Sequence, residues 1–152
     1  MLMMLQLLLK RLSQVMKYFP FMSFSIQSMG LKALLDTNAI IALLKNEGNL
    51  SKTLSNYSEV YVSVISVLEF QSLNDLNTSD LVLFDLFLSR IIIVYLTHRH
   101  HQLIETIISI RKIKKSKLSD SIIAATSIVL KSDLFTADKN FSKIEELNII
   151  TW

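Results

Sequence analysis

At 152 residues the chain suits a single domain, one that buries roughly 68–70% of its unfolded surface. It has no cysteine, which excludes disulfides and thiolate-held metals and suits a reducing cytoplasm. Its two glycines, Gly30 and Gly48, leave no way to write a G-x-x-x-x-G-K-S/T phosphate loop, a G-x-G-x-x-G dinucleotide turn or a G-x-S-x-G serine-hydrolase elbow. The formal charge of +3 comes from Lys10, Arg11 and Lys17, because the remaining cations and acids balance at thirteen each.

Residues 1–29 read as an extension, rich in Met, Leu and Phe and free of acids. Leu2, Leu5, Leu9, Leu12 and Met16 lie opposite Gln6, Lys10, Ser13 and Lys17 at helical spacing, so an amphipathic helix ending before Pro20 is expected. The apolar stretch is shorter than the ~20 residues that span a bilayer, and its basic residues follow the apolar run instead of preceding it, unlike a secretory signal. Three readings are open: a start truly at Met22 or Met29, a helix packed on the domain or a partner, or a helix lying on a membrane surface.

From residue 30 to 152 short apolar runs alternate with longer helical ones, the pattern of βαβ units in an α/β domain with a parallel sheet. Strands are expected near 31–35, 60–63, 91–95, 134–136 and 149–150. Helices are expected near 37–45, 50–56, 66–73, 80–89, 97–114 and 120–131.

Four carboxylates stand out against this frame. Asp36 follows the first apolar run, Glu69 follows the second, Asp120 opens a helix and Asp138 follows Leu134 to Thr136. Each has an ordinary explanation: Asp36 as a helix N-cap, Asp138 as the cap of a short turn before Phe141, Glu69 in a capping box with Ser66, Asp120 facing the helix dipole. Taken together they predict something else, because residues that follow parallel strands emerge at one edge of the sheet. Carboxylates gathered there raise one another's pKa unless a cation joins them, and an all-oxygen donor set favours Mg²⁺, with Mn²⁺ as a substitute.

These segments resemble the PIN domain family, and within it the VapC-type toxins of type II toxin-antitoxin pairs. The resemblance runs from Leu31 to Trp152 through Leu34-Leu35-Asp36-Thr37-Asn38, Val62-Ser63-Val64-Ile65-Ser66-Val67-Leu68-Glu69-Phe70, Leu118-Ser119-Asp120-Ser121-Ile122-Ile123-Ala124-Ala125-Thr126 and Leu134-Phe135-Thr136-Ala137-Asp138-Lys139-Asn140-Phe141. It implies a three-layer fold with a central parallel sheet flanked by helices, and metal-dependent RNA cleavage that leaves a 5′ phosphate and a 3′ hydroxyl. It also implies a small antitoxin partner and a homodimer. Asp36, Glu69, Asp120 and Asp138 would then be the catalytic metal ligands, with Thr37, Asn38, Thr136 and Asn140 orienting them. Two departures are visible: Ala137 stands where many relatives have a basic residue, and Met29 lies just before the first strand, where relatives have their initiating methionine.

Arg111, Lys112, Lys114, Lys115 and Lys117 form a basic run just ahead of Asp120, expected to contact RNA phosphates beside the acids. His98, His100 and His101 lack acid partners nearby and are read as surface residues. The rival reading is a catalytically silent domain of the same fold that binds protein or RNA.

Overall fold

The computed structural model describes residues 30–152, together with Gln6, Lys10 and Ser13 of the amino-terminal segment. Those three are helical and exposed; the other residues of the expected amphipathic helix lie outside the described residues. In the domain, five strands and six α-helices follow in the order β1 (Lys32–Leu35), α1 (Thr37–Leu44), α2 (Leu50–Leu54), β2 (Glu59–Ser63), α3 (Val64–Gln71), α4 (Thr78–Leu88), β3 (Ile92–Val94), α5 (His101–Lys114), α6 (Leu118–Leu130), β4 (Asp133–Phe135) and β5 (Ile149–Ile150). A 3₁₀ turn, Lys139–Lys143, separates the last two strands.

Every strand pairing is parallel and the sheet order is β3-β2-β1-β4-β5. β1 is central, and Ala33, Leu34 and Leu35 are fully buried, the continuous apolar run that a strand covered on both faces requires. Side-chain alternation splits the core into two layers. Ala33, Leu35, Val60, Val62 and Phe135 pack with α1 to α4, where Phe70 stacks on Phe84 at 4.0 Å between ring centres. Leu34 and Leu134 pack instead with Leu103, Ile107, Ile122 and Ile123 of α5 and α6.

From β1 the chain proceeds outward to β2 and β3, then returns through α5 and α6 on the opposite face to place β4 on the other side of β1. The crevice between the carboxyl ends of β1 and β4 is therefore the switch point at which open α/β sheets bind ligands. The backbone is sutured there, with the Asp36 N–H donating to the Phe135 carbonyl at 3.1 Å.

The five strands lie within about two residues of their expected places, the usual error at element ends. Four helices start elsewhere: α4 and α6 begin two residues early, at Thr78 and Leu118, and two others differ for visible reasons. The helix expected from Thr97 begins at His101, because residues 97–100 form a turn closed by His100 N–H on the Thr97 carbonyl, and only from Leu103 does the segment bury an apolar face. The helix expected from Ser66 begins at Val64, directly off β2, with the Ser63 hydroxyl accepting from the Ile65 N–H. Ser66 and Glu69 accordingly form no capping box. One does form at the start of α4, between Asn77 and Asp80.

Candidate functional site

Asp36 ends β1 and opens α1. Its Oδ1 accepts from the Thr37 N–H at 2.6 Å, and its Oδ2 accepts from the Thr136 hydroxyl, one residue past β4, at 2.8 Å. The side chain caps the helix with one oxygen and reaches across the switch point with the other. It is 6% exposed.

Two hydroxyls extend this contact to two further acids. The Thr37 hydroxyl donates to Glu69 Oε2 at 2.6 Å, although Glu69 lies in α3 and not at the mouth of a strand. The Thr136 hydroxyl, having donated to Asp36, accepts from the Asp138 N–H at 3.0 Å. Asp138 in turn caps the 3₁₀ turn, its Oδ1 accepting from the Asn140 N–H at 2.8 Å, and Asn38 Oδ1 accepts from the Ala137 N–H at 3.1 Å. All four polar neighbours expected from the sequence, Thr37, Asn38, Thr136 and Asn140, thus touch the acids or the loop that carries Asp138.

The electrostatics follow from this placement. Burial is the largest influence on Asp36 and raises its pKa above the ordinary carboxylate value; bonds from Thr136 and Thr37 pull it down, while the negative charges of Glu69 and Asp138 push it up again. Among the described residues no cation forms an ion pair with any of the four carboxylates. An ionised, buried Asp36 beside two like charges is a site that a cation would stabilise, and its oxygen donors suit Mg²⁺ or Mn²⁺.

Asp120 stands apart from this group. It sits in the first turn of α6, accepts from the Ser119 hydroxyl at 3.3 Å, and shares a cavity of about 210 Å³ with Asn140, the residue bonded to Asp138. As placed, no three His, Asp or Glu side chains among the described residues are spaced to hold one ion. The gathered set is Asp36, Glu69 and Asp138, and Asp120 is linked to it only through the cavity it shares with Asn140.

The basic run divides. Lys114, Lys115 and Lys117 line the cavity with Asp120, whereas Arg111 and Lys112 are exposed on the last turn of α5 and do not line it. One charged lining residue has no place among those expected from the sequence. Lys143 lines the same cavity from the 3₁₀ turn; its spacing of four from Lys139 was the available signal. Ser66 is fully buried one turn before Glu69, with no partner for its hydroxyl among the described residues. His98, His100 and His101 are exposed; the last two border a separate cavity of about 440 Å³ with Arg99, Val94 and Val129.

A model of the PIN domain matches residues 33–147. The chain belongs to the PIN domain family. Among solved structures, this PIN domain is similar to a toxin-antitoxin complex from Klebsiella pneumoniae, at 25% identity and a TM-score of 0.65 over 78% of this chain and 96% of that one. It is also similar to VapBC2 from Rickettsia felis bound to a DNA fragment from their promoter (23% identity, TM-score 0.65, 80% and 99% of the two chains). VapBC-1 from nontypeable Haemophilus influenzae gives 24% identity and a TM-score of 0.65 over 80% and 98%. No curated protein matches the chain. Among the described residues no helix of the PIN domain is long and apolar enough to cross a membrane.

Proposed function

We propose that residues 30–152 are a metal-dependent endoribonuclease of the VapC type, the toxin of a cytoplasmic toxin-antitoxin pair. The observation that carries this reading is the hydroxyl-bridged group at the switch point, where Thr136 and Thr37 tie Asp36 to Asp138 and Glu69 with no cation among them. Asp36, Glu69 and Asp138 would hold Mg²⁺ or Mn²⁺, and Asp120 would approach from across the cavity. A bound ion supplies activation of water and charge neutralisation at the phosphate being cut. The chain's own part is orientation: each threonine hydroxyl spends its single proton on a carboxylate oxygen and leaves the other oxygen of that carboxylate to a ligand or a cap.

A partner surface accompanies the site. Between α1, α3 and α4 lies an open cavity of about 450 Å³ walled by Ile41, Leu44, Phe70, Leu73 and Leu83. Leu81 and Leu86 of α4, a helix that contributes Leu83 to this cavity, are about 40% exposed. We assign this face to the antitoxin or to a second copy of the chain, the homodimer that the resemblance implies. Residues 1–29 are proposed to be dispensable for cleavage.

The rival, a silent binding module, draws on the absence of a ready three-ligand set among the described residues. One experiment separates the two: labelled single-stranded RNA and transfer RNA are incubated with the full chain and with Asp36→Asn, in Mg²⁺, Mn²⁺ or EDTA. Cleavage that requires metal and vanishes in Asp36→Asn supports the nuclease. Cleavage undiminished in the variant removes Asp36 from the site, and RNA bound but never cut favours the module.

A further inference from the structure

The cavity beside Asp120 differs in charge from the acid group it adjoins. Its walls are the turn after α5, carrying Lys114, Lys115 and Lys117, and the 3₁₀ turn, carrying Asn140 and Lys143. Lys114 is committed, its Nζ lying 3.6 Å from Glu145 Oε1, a contact that ties one wall to the segment following the other. Lys115, Lys117 and Lys143 have no ion pair among the described residues, and all three are exposed. Three available cations against the one carboxylate of Asp120 make this a place for an anion. Lys115 takes the left-handed conformation, φ 52°, which lets α5 end and the chain turn back within three residues, so that both sides of the turn present lysines. The space of about 210 Å³ equals roughly seven waters at about 30 Å³ each, room for a phosphate group with part of its hydration.

We propose that this cavity seats one particular phosphate of the substrate, that of a nucleotide neighbouring the cleaved bond, held by Lys115, Lys117 and Lys143. The inference rests on the nuclease reading and deepens it, since it gives the acid group a second, fixed point along the RNA strand. Asn140 joins the two: it lines the cavity and binds Asp138, so strand position at the lysines is transmitted to the acids through one residue. Lysines at this point position the strand without reading its bases. Lys143 is the informative member, because it comes from a different element than the basic run and reaches the cavity only through the fold.

The test uses the full chain and a short labelled RNA that it cuts. Lys143→Gln and Lys117→Gln should each raise KM about three- to tenfold with kcat little changed, and Lys143→Arg should restore most of the loss. Lys52→Gln, on α2 outside the cavity, should behave as the native chain. In the Asp36→Asn background, binding of the same RNA should lose about 0.7 from its salt slope for each lysine removed. A substrate with a single uncharged methylphosphonate linkage, moved along the positions flanking the cut, should lose affinity for the native chain at one position and lose nothing further with Lys143→Gln at that position. Thermal melts of the variants confirm that exposed lysines were changed without unfolding. If the native chain cuts RNA while the lysine variants match it, or while the uncharged linkage costs native and variant alike, the cavity is no phosphate site and the nuclease reading stands alone. If the native chain neither cuts nor binds RNA, the nuclease reading fails and takes this proposal with it.

Discussion

The two edges of the sheet use the same kinds of residue to opposite ends. At the amino edge, Glu59 is paired with Lys32 at 3.9 Å and accepts from the Tyr61 hydroxyl at 2.6 Å, and Asp133 accepts from Tyr57 at 2.6 Å and from Asn148 at 2.7 Å. Each acid there finds donors that belong to the fold, and burial first, then the carboxylate partner, raises the pKa of Tyr61 to about 12 and that of Tyr57 higher still. At the carboxyl edge, Asp36 and its neighbours have hydroxyl and backbone donors, with no cation among the described residues. At the amino edge Glu59 has a cation beside it and Asp133 stands apart with two neutral donors, whereas at the carboxyl edge Asp36 is oriented by hydroxyls beside the like charges of Glu69 and Asp138.

The comparison breaks most visibly at Thr136. Replacing it with Val keeps the shape but removes both the donor to Asp36 and the acceptor for the Asp138 N–H. We expect RNA cleavage to fall about ten- to a hundredfold, as for other groups that orient metal ligands. The Asp36 pKa should rise further without that bond, so the acid limb of the pH–rate profile moves to higher pH, and Thr136→Ser should restore both. A profile that stays in place while the rate falls would make Thr136 a packing residue only.

Stability sharpens the contrast next. In metal-free protein the raised pKa of Asp36 means the folded state prefers the protonated acid. The stabilisation linked to it is complete below the unfolded value and is lost as pH rises through the folded one. Asp36→Asn should therefore flatten this part of the stability–pH curve and melt no lower than the native chain at neutral pH. Mn²⁺ at a hundred times its dissociation constant should stabilise the native chain by about 2.7 kcal/mol and the variant far less. Melting curves at several pH values, with and without the ion, check both; equal stabilisation of the two proteins would place the ion elsewhere.

The smallest effect belongs to the amino edge. Tyr57→Phe removes one hydroxyl from Asp133 and should cost about 1 kcal/mol in urea unfolding while cleavage is unchanged. A loss of cleavage would mean that the two edges are coupled through β4.

How much of this was legible in the residues varies with the distance over which the signal acts. The strands were legible because Leu34, Val62 and Leu134 lie in apolar runs that a parallel sheet demands, and Asp36 and Asp138 because they follow such runs directly. Glu69 is not at the mouth of a strand as the pattern suggests: it is a helical residue that meets Asp36 through Thr37, a contact 32 residues away in sequence. The helix expected from Thr97 starts late because Thr followed by polar residues serves a turn as readily as a helix. Lys143 is distant in sequence from the basic run, and only the placement of β4 beside β1 brings the 3₁₀ turn into the same cavity. That Lys115 and Lys117 lie near Asp120 follows from their closeness in sequence, but that Asn140 and Lys143 wall the same cavity does not.

The hydrogen bond between Thr136 and Asp36 joins residues one hundred positions apart. Closing so long a loop is slow compared with local helix formation, and β4 can take its place only after most of the domain has been synthesised. The growing chain on its ribosome, surrounded by RNA, can therefore bring Asp36 and Glu69 together early through Thr37 but cannot add Asp138 to them until β4 is in place.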